Sequence, residues 1–148
     1  MDAIAAYAGL FAVAFLAATI FPAQSEAALL GLLALDRYPA LALLAAASAG
    51  NVLGSCANYA LGRFLAESKR MERLLNPARR ARAESWYRRY GKWSLLASWV
   101  PVIGDPLTLM AGVLRESFPV FLALVTVAKV GRYLALLAVH QAWFGLAT

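Results

Sequence analysis

Charged residues are scarce in this chain of 148 residues, at 15%, while hydrophobic residues reach 62% and the mean hydropathy is +0.65. A soluble domain is nearer half apolar and a quarter charged. The composition therefore argues against an ordinary soluble domain and predicts an integral membrane protein. The length allows one small domain, which we take as residues 1–148.

Cysteine and histidine are almost absent, and this excludes two kinds of site. Cys56 has no second cysteine for an internal disulfide. His140 has no further histidine or cysteine with which to complete a metal site, so we expect it to act in packing or at an interface. The sequence also lacks a Ser/His/Asp set and a phosphate-binding loop. We therefore expect no metal, no cofactor and no enzymatic activity.

Positive charge is concentrated in residues 63–92, which hold ten Lys and Arg residues against three Glu, a net charge of +7. By the positive-inside rule this segment lies in the cytoplasm. Attraction of anionic lipid headgroups is a second, compatible role, and we expect Arg63, Arg88, Arg89 and Arg115 to face headgroups. Because the segment adjoins membrane-length stretches, its charge favours a membrane partner over nucleic acid.

The basic segment also carries helical signals. Four apolar residues recur at helical spacing between the charges: Met71, Leu74, Leu75 and Ala78. This spacing predicts an amphipathic helix on the membrane surface. A second helix is predicted to begin at Asn76 and Pro77, an N-cap followed by proline at the first helical position, and to stop at Gly91.

The apolar stretches are of two kinds. Residues 40–62 and 118–140 are each long enough to cross a bilayer as one helix. Residues 3–35 and 93–114 are interrupted by proline and polar residues, and a helix that resumes after the break is only about half a span in length. Such half-length pieces are typical of a re-entrant hairpin, whose tip must be packed in protein or face a wet cavity.

The two interruptions follow one pattern. Residues 21–26 read F-P-A-Q-S-E and residues 100–105 read V-P-V-I-G-D, so that a carboxylate comes four residues after Pro22 and after Pro101. An aromatic-proline pair follows each of them, at Tyr38-Pro39 and at Phe118-Pro119. We expect helix to resume at residue 27 and at residue 107. The matching order indicates a transporter built from two halves.

The repeat also predicts a topology. Each half, one hairpin and one span, crosses the membrane an odd number of times, so the second half enters from the opposite side. The predicted fold is thus an all-α integral membrane inverted repeat. Hairpin 1 enters from outside, hairpin 2 enters from the cytoplasm, and both termini lie outside. If residues 3–20 instead cross fully, the N-terminus moves to the cytoplasm, and Asp2 does not decide between these options.

Small residues are dense in the first span. Gly50 and Gly54 form a small-xxx-small motif, which permits close approach between helices. The same face would suit a homo-oligomer or a larger complex. Asn51 and Asn58 are seven residues apart on one helical face, where they either hydrogen-bond neighbouring helices or line a polar cavity.

Four ionisable residues fall within the predicted membrane region: Glu26, Asp105, Lys129 and Arg132. A charge in hydrocarbon is costly and marks a functional site by default. We expect the carboxylates to face the cations around a small polar cavity, because pairing avoids isolated buried charge. The cations would bind an anionic headgroup, and the carboxylates would exchange protons. Purely structural ion pairs are the alternative. The predicted substrate or proton pathway also includes Pro22, Pro101 and Asn51.

Two sets of motifs carry a resemblance to a known family. Residues 21–26 look like a family motif that begins with phenylalanine and proline and ends in a carboxylate. A second signature runs through Arg89-Tyr90-Gly91, Pro101, Ala111-Gly112, Phe118 and Gly131. On these motifs, residues 15–140 resemble the DedA superfamily, also called VTT or SNARE-associated membrane proteins, and most closely its short YqaA-like branch.

The resemblance implies flipping or scrambling of phosphate-bearing lipids such as undecaprenyl phosphate across the bacterial inner membrane, with proton coupling. Longer family members usually carry arginine three residues after the hairpin proline, where this chain has Gly104. The role of that arginine does not carry over, and Arg132 or Arg115 would take its place. Two alternatives stay open: a proton- or sodium-coupled carrier of small molecules, and a scaffold subunit without transport activity.

Overall fold

A computed structural model describes residues 2–19, 24–66, 76–100 and 103–145, and every regular element in these ranges is helical. Pro22, Pro101 and the apolar residues at positions 71, 74 and 75 of the predicted amphipathic helix lie outside the described ranges. The elements in chain order are α1 (Ala3–Thr19), α2 (Gln24–Ala34), α3 (Ala40–Leu65), α4 (Pro77–Tyr90), a 3-10 helix (Gly91–Trp99), α5 (Gly104–Val113) and α6 (Phe118–Gly145).

The two long helices, α3 and α6, form the frame of the molecule. Their 26 and 28 residues correspond to about 39 and about 42 Å, longer than a hydrocarbon core of about 30 Å. Ala40–Leu65 and Phe118–Trp143 are both apolar enough to cross a membrane. The helices run antiparallel, since Asn51 contacts Tyr133 whereas Tyr59 packs on Phe121. Helices were expected over 40–62 and 118–140, and both are present with a few residues added.

Helix α1 packs along α3 through the small-residue motif. A Cβ added at Gly50 would overlap the Phe11 carbonyl, and one added at Gly54 would lie 2.7 Å from the Ala18 Cβ. Because both contacts advance together along the two helices, α1 and α3 run in the same direction. The close approach expected of this motif is therefore confirmed, and it brings the carbonyls of α1 within reach of polar side chains on α3.

Helices α1 and α2 form a pair that returns to its starting end. Tyr7, near the beginning of α1, meets Tyr38 in the turn after α2, with the ring centroids 5.9 Å apart. Leu10 of α1, Leu29 of α2 and Leu137 of α6 share one buried cluster. The chain therefore travels along α1 and comes back along α2 before α3 begins.

The second half contains a similar pair at the opposite end of the frame. Tyr87, just before the 3-10 helix, donates a hydrogen bond to the Glu116 carboxylate just after α5, at 2.6 Å. The chain thus also returns to its starting end over residues 91–116. Helix α4 has its expected ends: the Asn76 side chain accepts from the Ala78 N–H at 2.9 Å, and Gly91 terminates the helix with a φ of 58°.

We call α2 and α5 the return helices, because each brings the chain back to the end at which its pair began. Both start earlier than expected. Helix α2 begins at Gln24 rather than at residue 27, and α5 begins at Gly104 rather than at residue 107. The first N–H groups of a helix have no intrahelical acceptor, so a first turn readily holds carboxylates and proline. The polar residues 24–26 therefore belong to a helix rather than to the break before it, and Pro106 lies within the first turn of α5.

The first arm of the second pair is a 3-10 helix of nine residues rather than an α-helical piece over 93–100. The Ser94 hydroxyl donates to the carbonyl of Gly91, three residues earlier, at 2.8 Å, within the first turn of this helix. A 3-10 rise of about 2.0 Å per residue takes nine residues across about 18 Å. This arm therefore reaches further than the roughly 12 Å expected for an α-helix of eight residues.

Candidate functional site

The first turns of α2 and α5 hold the two carboxylates of the repeat. Glu26 is the third residue of α2, and Asp105 is the second residue of α5. The unpaired N–H groups at a helix N-terminus, with the positive end of the helix dipole, stabilise a nearby anion. The two carboxylates of the sequence pattern therefore both lie in the first turn of a helix, one in each half of the chain.

Helix α6 supplies the partners of both carboxylates. Lys129, Arg132 and Tyr133 are three and four residues apart and therefore share one face of the helix. Tyr133 and Lys129 are almost fully buried, with 1% and 2% of their surface exposed. This face of α6 lies between the first turns of α2 and α5 and contacts both.

Two ion pairs form across this contact. The Lys129 ammonium lies 3.2 Å from a carboxylate oxygen of Asp105, and the Arg132 guanidinium pairs with Glu26. One pair therefore joins α6 to the second half, and the other joins α6 to the first half. The four residues expected to face one another are brought together, and the four charges sum to zero. Their role in a transport pathway stays a prediction.

An uncharged hydrogen-bond network extends the site towards α3. The Asn51 amide donates to the Tyr133 hydroxyl at 3.1 Å and to the Ala14 carbonyl at 3.4 Å. The Tyr133 hydroxyl in turn donates to the Ser25 hydroxyl at 3.0 Å. Asn51 therefore links α3 to α1 directly, and to α2 through Tyr133 of α6. The sequence left two roles open for Asn51, hydrogen bonding between helices and lining a polar cavity. The structure shows the hydrogen bonding between helices.

Asn58 makes the corresponding connection two helical turns further along α3. Its amide donates to the Ala18 carbonyl of α1 at 2.8 Å and to the Thr108 hydroxyl of α5 at 3.3 Å. The Thr108 hydroxyl donates to the Asp105 carbonyl at 2.7 Å, which braces the first turn of α5. The asparagine pair on α3 therefore ties both return helices to α1.

Sequence reasoning missed three polar residues of this site: Ser25, Thr108 and Tyr133. Each is an uncharged residue in a helix that also holds a charged residue of the site, and none has a strong signal of its own. Spacing was the available clue, because Thr108 lies three residues after Asp105, while Ser25 and Tyr133 are adjacent in sequence to Glu26 and Arg132. This spacing identifies a residue as part of the site only when the position of the partner helix is known.

The four basic residues expected to face headgroups occupy a different region. Arg63 and Arg115 line a pocket of about 420 Å³ between the end of α3 and the start of α6. Arg88 and Arg89 line a groove on α4 together with Ala81, Glu84 and Ser85. Phe118, in the wall of the pocket, is eleven residues from Lys129, or about 16 Å along α6. The pocket is therefore separate from the ion pairs.

Glu116 connects this basic region to α4. Its carboxylate accepts from the Tyr87 hydroxyl at 2.6 Å and from the Ser117 N–H at 3.3 Å. Burial, followed by the hydrogen bond to Glu116 and the charge of that carboxylate, raises the pKa of the Tyr87 hydroxyl above its ordinary value. Tyr87 therefore stays protonated and holds α4 against the turn between α5 and α6.

Comparison with known proteins places this architecture in a family. The VTT domain family matches residues 3–141. The inner membrane protein YqaA of Escherichia coli K12 is 37% identical over 131 residues, which cover 87% of each chain. A protein of Haemophilus influenzae is 36% identical over 137 residues, which cover 86% of this chain and 83% of that protein. No solved structure matches. The chain therefore belongs to the VTT domain family, also called the DedA family, of membrane proteins.

Proposed function

We propose that this protein moves phosphate-bearing lipids between the leaflets of the bacterial inner membrane, with undecaprenyl phosphate as a candidate substrate. The observation that carries the proposal is the double ion pair in which Lys129 and Arg132 of one helix bind Asp105 and Glu26 in the first turns of two others. Membership of the VTT domain family supports a role related to membrane transport.

The chemistry of the pairs suits a headgroup that carries phosphate. Arginine and lysine both bind phosphate oxygens, and in the resting state each is neutralised by one carboxylate. Protonation of Asp105 or Glu26 would remove that negative partner and leave its cation available to an anionic headgroup. Loss of the proton would restore the pair and release the headgroup. The carboxylates would in this way couple lipid movement to a proton gradient.

The proposal includes a topology. Helices α1 and α2 would form a re-entrant hairpin that opens to the outside. The 3-10 helix and α5 would form a second hairpin that opens to the cytoplasm, where the basic segment lies. Hairpin tips at mid-membrane are tolerated where protein covers them, and the packing of both return helices on α6 supports this arrangement. The two halves would then form an inverted repeat of a multi-pass protein.

A flipping assay in proteoliposomes tests the proposed activity. Fluorescent lipid phosphate would be scored by its accessibility to a quencher outside the vesicle, with and without an imposed pH gradient. We expect Asp105→Asn and Glu26→Gln each to slow flipping by about tenfold to a hundredfold, because a charge-assisted hydrogen bond contributes about 1.5–3 kcal/mol. Glu84→Gln on α4 removes the same charge outside the site and should leave the rate unchanged.

Unchanged rates in both site variants would contradict the role of the carboxylates. The same vesicles also test the two other functions. A proton- or sodium-coupled carrier of small molecules rests on the same paired carboxylates, but it would take up a soluble anion and leave the lipid distribution unaltered. A scaffold subunit would show neither activity.

A further inference from the structure

The surface of α4 is divided into two unlike flanks by its buried residues Ala83 and Tyr87. On one flank the side chains of Arg80 and Glu84 form an ion pair, with their atoms 2.9 Å apart. Glu84 is the single carboxylate within this helix, so the negative charge of α4 is taken up by that pair. The flank that holds the pair is therefore locally neutral, and the excess positive charge of the helix lies elsewhere.

The other flank carries cations together with aromatic rings. Arg82, Arg89 and Tyr90 each lie three or four residues from Trp86, and they therefore share one side of the helix with it. All of these side chains are exposed, Trp86 by 38% and Tyr90 by 49%. Neither arginine pairs with a carboxylate among the residues that the structure describes. This side, which we call the aromatic flank, is both positively charged and partly apolar.

Each ring system on this side of the protein has a cation against it. The rings of Trp86 and Tyr90 meet edge to face with centroids 5.8 Å apart, and the Arg89 guanidinium lies 5.6 Å from the Tyr90 centroid. The pattern recurs in the 3-10 helix, where the Lys92 ammonium lies 5.6 Å from the centroid of the exposed Trp93 ring. Tryptophan and tyrosine rings favour the boundary between headgroups and acyl chains, while nearby cations extend to the phosphates.

The attachment of α4 sets its level relative to the membrane-length helices. Its Tyr87 hydroxyl donates to the Glu116 carboxylate at 2.6 Å. Glu116 lies just before the membrane-length segment Phe118–Trp143. Helix α4 is therefore held where a spanning helix would enter the apolar layer, which is the level of the lipid headgroups. Exposed rings at this level fit a lipid surface better than they fit nucleic acid or a soluble acidic protein.

We propose that the aromatic flank docks onto a leaflet that contains anionic phospholipid. The rings of Trp86 and Tyr90 would lie at the boundary between headgroups and acyl chains. Arg82, Arg89 and Lys92 would bind the phosphates of lipids whose headgroups carry a net negative charge. Charge complementarity supports this partner, because the flank has positive charge and no carboxylate of its own. The docking surface goes beyond the proposed function and does not depend on it.

Tryptophan fluorescence tests the proposal in the full-length protein. The chain has four tryptophans. One reporter variant keeps only Trp86, and a second keeps only Trp143, which is 77% exposed near the opposite end of α6, with phenylalanine at the other three positions in each. Both are placed in vesicles of phosphatidylcholine with a minor fraction of phosphatidylglycerol. The same amount of bromine, which quenches tryptophan, is carried by one lipid or by the other, and the ratio of the two quenching values reports which lipid is adjacent.

We expect brominated phosphatidylglycerol to quench Trp86 about twofold to fivefold more than brominated phosphatidylcholine, because a basic residue near the membrane surface attracts anionic lipid. The ratio for Trp143 should be about one, since the docking surface is at the other end. In the Trp86 reporter, the triple variant Arg82→Gln, Arg89→Gln, Lys92→Gln should lower the ratio to about one. The variant Arg82→Lys, Arg89→Lys keeps the charges and should keep the preference.

Three results would overturn the proposal. They are the absence of quenching of Trp86 by either lipid, as a soluble partner on this flank would predict, equal quenching by the two lipids, and an unchanged ratio in the triple glutamine variant. If a reporter variant does not fold, the phosphatidylglycerol that stays bound to wild type and to the triple variant after extraction from the same vesicles is counted instead. Equal amounts would then contradict the docking surface. A lipid preference without flipping would remove the proposed function alone, and flipping without the preference would remove the docking surface alone.

Discussion

Lys129 and Asp105 form a buried ion pair whose energetic cost depends on whether both residues are present. The Lys129 side chain is 3% exposed and that of Asp105 is 19% exposed. Taking two charges out of water costs several kcal/mol for each ion, and mutual attraction repays this only when the pair is intact. Removal of one partner therefore leaves a buried charge alone. Removal of both charges leaves an uncharged contact between a polar and an apolar side chain.

This asymmetry predicts a double-mutant cycle. Lys129→Met should lower the free energy of unfolding by about 3–5 kcal/mol, because it leaves the carboxylate of Asp105 unpaired. The double variant Asp105→Asn, Lys129→Met should recover most of that loss. Unfolding in mixed detergent micelles, with an increasing fraction of denaturing detergent, measures the free energy of unfolding of both variants.

The surface pair Arg80–Glu84 on α4, with its atoms 2.9 Å apart, is the matched control. Arg80→Met should cost only about 0.3–0.5 kcal/mol, as is usual for exposed pairs four residues apart on a helix. Additive losses in the Asp105 and Lys129 cycle would show that the two residues do not interact energetically.

At the scale of elements, α4 is attached to the membrane-length helices through few side chains. Ala83 and Tyr87 are its buried residues in the cluster that includes Leu107 and Phe121. Most of its remaining side chains are polar and charged, so its own sequence provides little apolar surface for docking. The hydrogen bond from Tyr87 to Glu116 is therefore a principal polar contact between α4 and the turn before α6.

Docking of α4 should consequently depend on pH in the alkaline range. The pKa of Tyr87 is raised in the folded state, so the folded protein holds this proton more tightly than the unfolded chain does. The stability that it contributes is complete below the ordinary tyrosine pKa of about 10 and is lost as the pH rises above that value. Thermal unfolding followed by circular dichroism between pH 8 and pH 11 measures the effect.

Tyr87→Phe should lower stability at pH 8 and flatten this alkaline decline. Tyr90→Phe serves as the matched control, because Tyr90 is 49% exposed on the same helix. The same steep decline in wild type and in Tyr87→Phe would assign the pH dependence to other groups.

In the part of the chain that the structure describes, two short helix pairs pack around two long antiparallel helices, and α4 docks at one end of them. One pair returns to the end marked by Tyr7 and Tyr38, and the other returns to the end marked by Tyr87 and Glu116. The return helices of both pairs meet α6 at its charged face. The inverted repeat proposed from the sequence pattern would produce such an arrangement.

The proposed topology predicts which ends are reachable from each side of the membrane. In a Cys56→Ser background, single cysteines would replace Asp2, Arg37, Ser85 and Ser117. An impermeant maleimide should label the cysteines at positions 2 and 37 in intact cells, because the proposed topology places both on the outside. Those at positions 85 and 117 should react only after the membrane is opened. Labelling of 37 and 117 from the same side would refute the inverted repeat.

Position 2 separates two versions of this topology. If its cysteine reacts only after the membrane is opened, then α1 crosses fully and the first pair is not re-entrant.

Much of the fold followed from local patterns. The spans over 40–62 and 118–140 and the ends of α4 at Asn76 and Gly91 were readable from apolar length and capping residues. Two local expectations were wrong: the starts of α2 and α5 were placed three residues too late, and the first arm of the second pair is a 3-10 helix. Both errors concern helix ends, where the winding depends on packing as well as on the sequence.

By itself, the sequence determined that four charged residues must find partners, because an isolated charge in apolar surroundings is costly. Which cation meets which carboxylate was decided only by the tertiary structure, since either pairing would satisfy the charges. The same holds for Ser25, Thr108 and Tyr133 in the site and for the pocket between Arg63 and Arg115. These contacts join residues that are far apart in the chain, so their geometry exists only once α3 and α6 have packed.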